Sequence, residues 1–540
     1  MRRVDQVAQT LLEILLSFAV AQAAWGVCTP PRSMAVRLRA SPDAAVYAEL
    51  GQWYADRKQF SCAADAFRRA SVLQPASARD LYLLGLSLYS EGKFSEAVEP
   101  LEDSLRLEPH ASQSHATLAA AMEGSGNPRG AELQWRLALA DDPTSTPALD
   151  GLSRELLGDR NYGAVIALLE PLRSSPVFTD SLAVNLSVAY TRSGLPENAA
   201  ELLRRQLQAH PASLAVCEAL SGVLILQSRF QDALAVLSPF ARQNPGYRPV
   251  QVLYLQALVL AHDPSAETVA RRLLATWPRD WELLYFTGIL YQQNDANGIA
   301  EGYLRRSIAE KPDSADTHYR LGEILVAAGS YAAAKREFER AIALGLDSPD
   351  VHVALSTALR GLGDDAGAQQ QAQIYQQLLH AQAARAQAAD KAQQGDQAQT
   401  TGNLQQTVED YREALALDPQ EPVLAYKLAM ALDKSGDRAG ERAALQQALR
   451  LDPHMALAQN QLGYIDASEG NTDAAISEFQ LAVQADPGFT KAWLNLAASL
   501  CLQSKWPEAR QALHHLLELE PENAGAKALL QKVDEMEAQR

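Results

Sequence analysis

Apolar and small residues recur three or four positions apart through most of the chain, in blocks of about a dozen divided by short polar turns. Residues 80–109, DLYLLGLSLYSEGKFSEAVEPLEDSLRLEP, carry one full copy of the pattern. Leu81, Leu84, Gly85 and Leu88 fall on one face of a first helix, and Ala97, Leu101 and Ser104 on one face of a second. SEGKF reads as the turn between them, and Pro109 ends the second helix. The unit predicted is a pair of antiparallel helices.

The pair repeats. Pro75, Pro109, Pro143, Pro211, Pro245, Pro312, Pro419, Pro453, Pro487 and Pro521 stand 34 residues apart or a multiple of it, except across Pro312 to Pro419. That gap of 107 residues is three periods plus five, so one five-residue insertion lies within it. Pro176 and Pro278 fall one residue early. Other positions share the period. Tyr47, Leu50, Gly51, Tyr54, Ala63, Phe67 and Ala70 in 44–77 correspond to His318, Leu321, Gly322, Leu325, Ala334, Phe338 and Ala341 in 315–348. They also correspond to Gln459, Leu462, Gly463, Asp466, Ala475, Phe479 and Ala482 in 456–489. Leu346 stands where 315–348 should have its proline. Glycine at the eighth position keeps two crossing helices close, and the small-large-small stripe of the second helix interdigitates with the first.

This pattern, W-x2-L-G-x2-Y then A-x3-F then P on a 34-residue period, resembles the tetratricopeptide repeat family. Fourteen units start near 44, 78, 112, 146, 180, 214, 248, 281, 315, 349, 388, 422, 456 and 490; the fourth, seventh, tenth and eleventh match least well. The resemblance implies an all-α fold, a right-handed superhelical α-solenoid of stacked antiparallel helix hairpins with first helices lining the concave side. One hairpin buries a single face and needs neighbours to cover the other. The end therefore needs a polar outer face. Residues 522–540 are predicted to form a C-terminal capping helix, with Ala526, Leu529, Leu530 and Val533 inward and Lys527, Asp534 and Glu535 off that stripe.

The expected organisation is a signal peptide or amphipathic helix over 1–23, a linker over 24–43, and an array over 44–383. An Ala/Gln-rich irregular junction follows over 384–403, and the array continues over 388–523. In 366–399, 23 of 34 residues are Ala or Gln. These predict a long helix near 365–393 that stacks loosely, with the five extra residues in it; the tract reads either as a divergent repeat or as a hinge between arrays 44–383 and 388–540.

A formal charge of −17 excludes wrapping of nucleic-acid phosphate and suits a soluble acidic surface or cationic protein segments. The N-terminus MRRVDQVAQTLLEILLSFAVAQAAWG has a basic start, an apolar stretch from Leu11 to Val20 and the small-x-small triplet Ala21-Gln22-Ala23. Asp5 and Glu13 oppose an export signal, and a free amphipathic helix is the other reading. The first predicts a periplasmic or secreted protein, the second a cytoplasmic one. No integral membrane span is expected. Cys28, Cys62, Cys217 and Cys501 form no metal-ligand spacing, and buried apolar roles are expected rather than disulfides.

No catalytic constellation stands out, so no enzyme activity, cofactor or metal is expected. His514 and His515 are adjacent on a helix and diverge by about 100°. GSGNPRG at 124–130 mimics a phosphate loop without its Lys-Ser/Thr and falls in an intra-unit turn. Interest therefore moves to the concave face. Positions 2, 5, 9 and 12 of first helices place Arg79, Tyr82, Tyr89, Glu218, Glu282, Tyr285, Tyr319, Glu323, Tyr426, Asn460 and Tyr464 there as partner-binding candidates. Two binding modes known in the family, the Lys/Asn carboxylate clamp and the asparagine ladder of O-linked N-acetylglucosamine transferase, find no matching set of residues. The function implied is a non-enzymatic scaffold for protein or peptide partners, in cell-envelope assembly or secretion. The alternative is a non-catalytic regulatory or recruitment arm of a glycosyltransferase or envelope polysaccharide export machine.

Overall fold

The computed structural model describes residues 28–520 and 523–538. The expected signal peptide or amphipathic helix at 1–23 lies outside them. The described residues are helices joined by short turns, with no strand among them. Predicted units supply two helices, as in Ala44–Ala55 with Phe60–Leu73 and Ala315–Ala327 with Tyr331–Ala343, except that the tenth and eleventh share one. Many first helices begin on side-chain caps: Asp43 accepts from Val46 N, Ser77 from Asp80 N and Thr179 from Leu182 N. Two of the poorly matching units still form complete hairpins. The fourth unit pairs Thr146–Gly158 with Tyr162–Leu169, and the seventh pairs Arg248–Leu260 with Ala266–Thr276.

One backbone feature marks every unit. The fifteenth residue, in the turn between the two helices, is left-handed throughout. Eight of these are glycines: Gly92, Gly126, Gly194, Gly329, Gly363, Gly402, Gly436 and Gly470. Six are not: Lys58, Arg160, Ser228, His262, Asp295 and Ser504, with φ between 52° and 59°. A polar side chain is tolerated there at a conformational cost that glycine avoids. The GSGNPRG segment is such a turn, with Gly126 at φ 84° and Asn127 capping the next helix.

In most units the periodic proline sits two residues beyond the second helix; Phe94–Leu107 is followed by Glu108 and Pro109. Its carbonyl is a recurring hydrogen-bond acceptor. Six residues on, at the fourth position of the next unit, His115 Nε2 lies 2.9 Å from Pro109 O and His318 Nε2 lies 3.1 Å from Pro312 O. Gln459 Nε2 donates to Pro453 O at 2.6 Å, and Trp493 Nε1 to Pro487 O at 2.8 Å. Three chemically different side chains thus satisfy one orphan carbonyl at the unit boundary. Where Leu346 replaces the proline, Gly345 at φ 98° ends the helix, Leu346 N bonds back to Ala341 O at 3.0 Å, and His352 turns to Asp347 Oδ1 at 2.7 Å.

Helix crossings are as close as the eighth-position glycine implies. A Cβ on Gly51 would stand 2.8 Å from Phe67, on Gly322 2.5 Å from Phe338, and on Gly463 2.8 Å from Phe479. Phe67, Phe338 and Phe479 are among the most deeply buried side chains.

The chain forms two compact units. One joins the residues up to Phe178 with Asp486 onward. Within it, Arg136 bonds Glu132 Oε1 at 2.8 Å and reaches Asp486 Oδ1 at 3.4 Å. Its C-terminal helix Ala524–Ala538 buries Ala526 and Val533 and leaves Lys527, Asp534 and Glu535 exposed. The expected bare linker at 24–43 contains a helix, Arg32–Ala40. The expectation of unpaired cysteines is also corrected: Cys28 is bonded to Cys62, with Cα atoms 5.6 Å apart. Sequence could not show this pairing, because Cys28 stands outside the array and its approach depends on how the chain folds back. Cys217 is a buried free thiol pushed up to about 12 by desolvation.

The second unit spans Thr179–Ala485. The irregular junction expected at 384–403 is helical to Thr400. A single 36-residue helix, Asp365–Thr400, runs through it without a break. Its first part pairs with Pro349–Gly361 and its last part with Leu404–Leu417, so one helix serves two hairpins. Gly395 closes the second pairing, where a Cβ would lie 2.7 Å from Tyr411. Ala and Gln favour helix strongly enough to carry it across a stretch, 376–387, that is mostly exposed.

Candidate functional site

Direct contacts between alternate helices run through the first helices of adjacent units, such as Leu214–Leu226 with Arg248–Leu260 and Arg248–Leu260 with Trp281–Gln293. The first-helix layer is therefore the closely spaced one, as on the inner side of a bent stack. In the second compact unit this layer carries clusters of polar contacts in four successive repeats.

The series starts where Tyr247 faces the half-buried Glu218 carboxylate, which holds the tyrosine hydroxyl above its usual range. Arg248 Nη2 then donates to Asp280 Oδ1 at 3.0 Å and to Glu282 Oε2 at 2.5 Å in the next repeat. The two carboxylates raise the guanidinium further above its already high value. Asp280 also caps Trp281–Gln293 through Glu282 N and Leu283 N, both at 3.1 Å. Farther along, Arg320 donates through Nη1 to Glu323 Oε2 at 2.9 Å, and its guanidinium interacts electrostatically with the Tyr285 hydroxyl of the preceding repeat. The Glu323 carboxylate acts electrostatically on the Tyr319 hydroxyl, and the Tyr319 ring lies 5.6 Å from the Arg320 guanidinium. Burial, first of all, pushes Tyr285 and Tyr319 up and keeps both neutral.

Six of the sequence-selected residues thus have definite places. Glu218, Glu282, Tyr285, Tyr319 and Glu323 belong to this series, and Tyr426 is half-buried against a core cluster farther on. Tyr464 is 51% exposed and Arg79 is exposed. Tyr82 and Tyr89 pack partly against the core of the first repeats, Tyr89 with its ring 5.5 Å from Phe94. Asn460 is 4% exposed, which corrects its assignment to a partner-facing surface: the fifth position of this helix is covered by its neighbours. Sequence reasoning missed Arg248, Asp280 and Arg320. Arg320 adjoins the candidate Tyr319, whereas Arg248 and Asp280 are readable only once adjacent repeats are placed side by side.

This architecture defines the class: an all-α solenoid of helix hairpins. The chain belongs to the tetratricopeptide repeat family. Models of the tetratricopeptide repeat match residues 290–359 and 466–533 in one case and 48–112 and 426–488 in another. A curated relative, the type IV pilus assembly protein PilF of Pseudomonas aeruginosa, is 24% identical over 168 residues, 31% of this chain and 67% of the relative. Among solved structures, the chain is similar to one titled as the APC/C hetero-tetramer Cut9-Hcn1, with TM-score 0.37 and 16% identity over 93% of this chain and 92% of that one. It is also similar to a tetratricopeptide repeat protein from Parabacteroides merdae, with TM-score 0.41 and 16% identity over 46% of this chain and 98% of the other. Repeats of this family make protein-interaction scaffolds. Among the described residues no helix is long and apolar enough to cross a membrane.

Proposed function

We propose that the chain is a non-enzymatic scaffold of the cell envelope that holds an extended segment of a protein partner along its first-helix layer. The observation that carries the reading is the polar series from Glu218 to Glu323. It presents aromatic rings and charged groups at a fixed spacing, with their geometry set before any partner arrives. Half-buried tyrosines suit this role, because they offer large contact area with few rotors and keep one polar tip. The likeness to a pilus assembly protein supports a role in building a surface structure, and the leader-like N-terminus supports export.

The test compares the wild-type chain with Tyr285→Ala/Tyr319→Ala as bait against envelope extract, with bound proteins identified by mass spectrometry. Partners retained by the wild type should be depleted at least tenfold on the variant, while its circular dichroism stays unchanged. Equal retention by a folded variant refutes the assignment of this face.

A further inference from the structure

The first repeat is covered on its outer side by residues 28–40 instead of by another hairpin. Cys28, Met34 and Leu38 pack against a core containing Leu50, Tyr54, Cys62 and Phe67. Yet the helix Arg32–Ala40 has no fully buried residue, and its fixed polar contact is the exposed pair of Arg37 with Glu49. Such a pair contributes little in water. Nine residues with only partly buried contacts do not offset the entropy of ordering them. What remains is the covalent bond from Cys28 to Cys62, the third residue of the helix Phe60–Leu73.

We propose that residues 28–40 are an N-terminal cap locked onto the first repeat by the Cys28–Cys62 disulfide, and that its reduction releases the cap and uncovers that repeat. The bond forms by exchange with a disulfide-bearing oxidant, such as a protein dithiol oxidase. One cysteine thiolate attacks a sulfur of the oxidant's disulfide to give a mixed disulfide. The second thiolate then displaces the oxidant, which leaves as a dithiol carrying two electrons, while the chain loses two thiol protons. Such a bond persists in an oxidising compartment and not in a reducing cytosol. It also removes Cys28 from other thiol chemistry, including acylation.

The full chain, purified from an oxidising compartment, is denatured and alkylated without reductant. Two cysteines, Cys217 and Cys501, should be modified, rising to four after reduction. Four modified cysteines before reduction overturn the proposal. Hydrogen exchange then compares the oxidised chain, the reduced chain and Cys28→Ser/Cys62→Ser. Reduction and the double substitution should speed exchange across 44–73 about a hundredfold, the scale of a typical structural disulfide, and leave 281–343 unchanged. Equal protection of 44–73 in all three samples, or a loss of protection spread evenly to 281–343, overturns the capping role.

Discussion

The left-handed residue at the fifteenth position of each repeat allows a prediction that needs no partner. At Ser228 φ is 58° and at His262 it is 52°. A residue with a Cβ pays roughly 1–2 kcal/mol there. Replacing it by glycine removes that cost but adds roughly 0.5–1 kcal/mol of chain entropy lost on folding. Ser228→Gly and His262→Gly should therefore each stabilise their own hairpin by about 0.5 kcal/mol, the net of these two effects. The reverse change is equally defined. A Cβ added at Gly126, Gly329 or Gly363 meets no atom within 4 Å, so Gly329→Ala carries a backbone cost alone. It should destabilise by about 0.5–1 kcal/mol. A long repeat array does not unfold in one step, so a single global midpoint is the wrong readout. Amide exchange resolved by hairpin is the right one. Ser228→Gly should slow exchange within 214–243 about twofold, and Gly329→Ala should speed it several-fold within 315–343. If both substitutions shift protection in the same direction, the strain argument is wrong.

Three further outcomes follow from packing and charge. Gly322→Leu places a side chain where even a Cβ would be 2.5 Å from Phe338, so it should cost about 1–3 kcal/mol and lower the local denaturant midpoint, with Gly302→Leu, in open space, as control. Burial, helped by Glu123, Asp159 and Glu132, pushes the Glu155 carboxyl up to about 7. A raised folded value means stability is fully present below the unfolded pKa and is lost as pH rises through about 7. Glu155→Gln should flatten melting temperature between pH 5 and 8, with a gain on the order of 1 kcal/mol at the alkaline end after allowance for solvent screening; an unchanged slope contradicts it. Ala386→Pro, in the exposed stretch of the long helix, should cost about 3 kcal/mol of helix and let 404–485 melt separately from 315–361 by hydrogen exchange. Joint melting would show that the shared helix does not couple the two sides.

The repeat was legible because its constraints are local. Glycine at position eight and proline at the end of each unit each answer a steric or hydrogen-bonding need within a few residues, so Gly51, Gly322 and Pro109 could be read directly. Less was legible wherever the deciding contact crosses repeats. Arg248 reads as an ordinary surface residue until the next first helix brings Asp280 and Glu282 beside it. Asn460 sits at a partner-facing position by register, but neighbouring helices bury it. The Cys28–Cys62 bond was invisible for the same reason. The Ala/Gln tract was read correctly as helix-forming, but the end of the helix at Thr400 was missed: a second hairpin begins inside it, and the glycine that stops it, Gly402, lies more than two turns past the expected limit.

The bond to the proline carbonyl bears on how such chains diverge. Histidine, glutamine and tryptophan each reach that oxygen from one position, so what is held fixed is a nitrogen–hydrogen bond at a given reach and not a residue type. Selection acting on that bond leaves the letter free to drift. Two repeats with little residual identity can then stack on each other with the same joint, and an array can lengthen by duplication without re-tuning its seams.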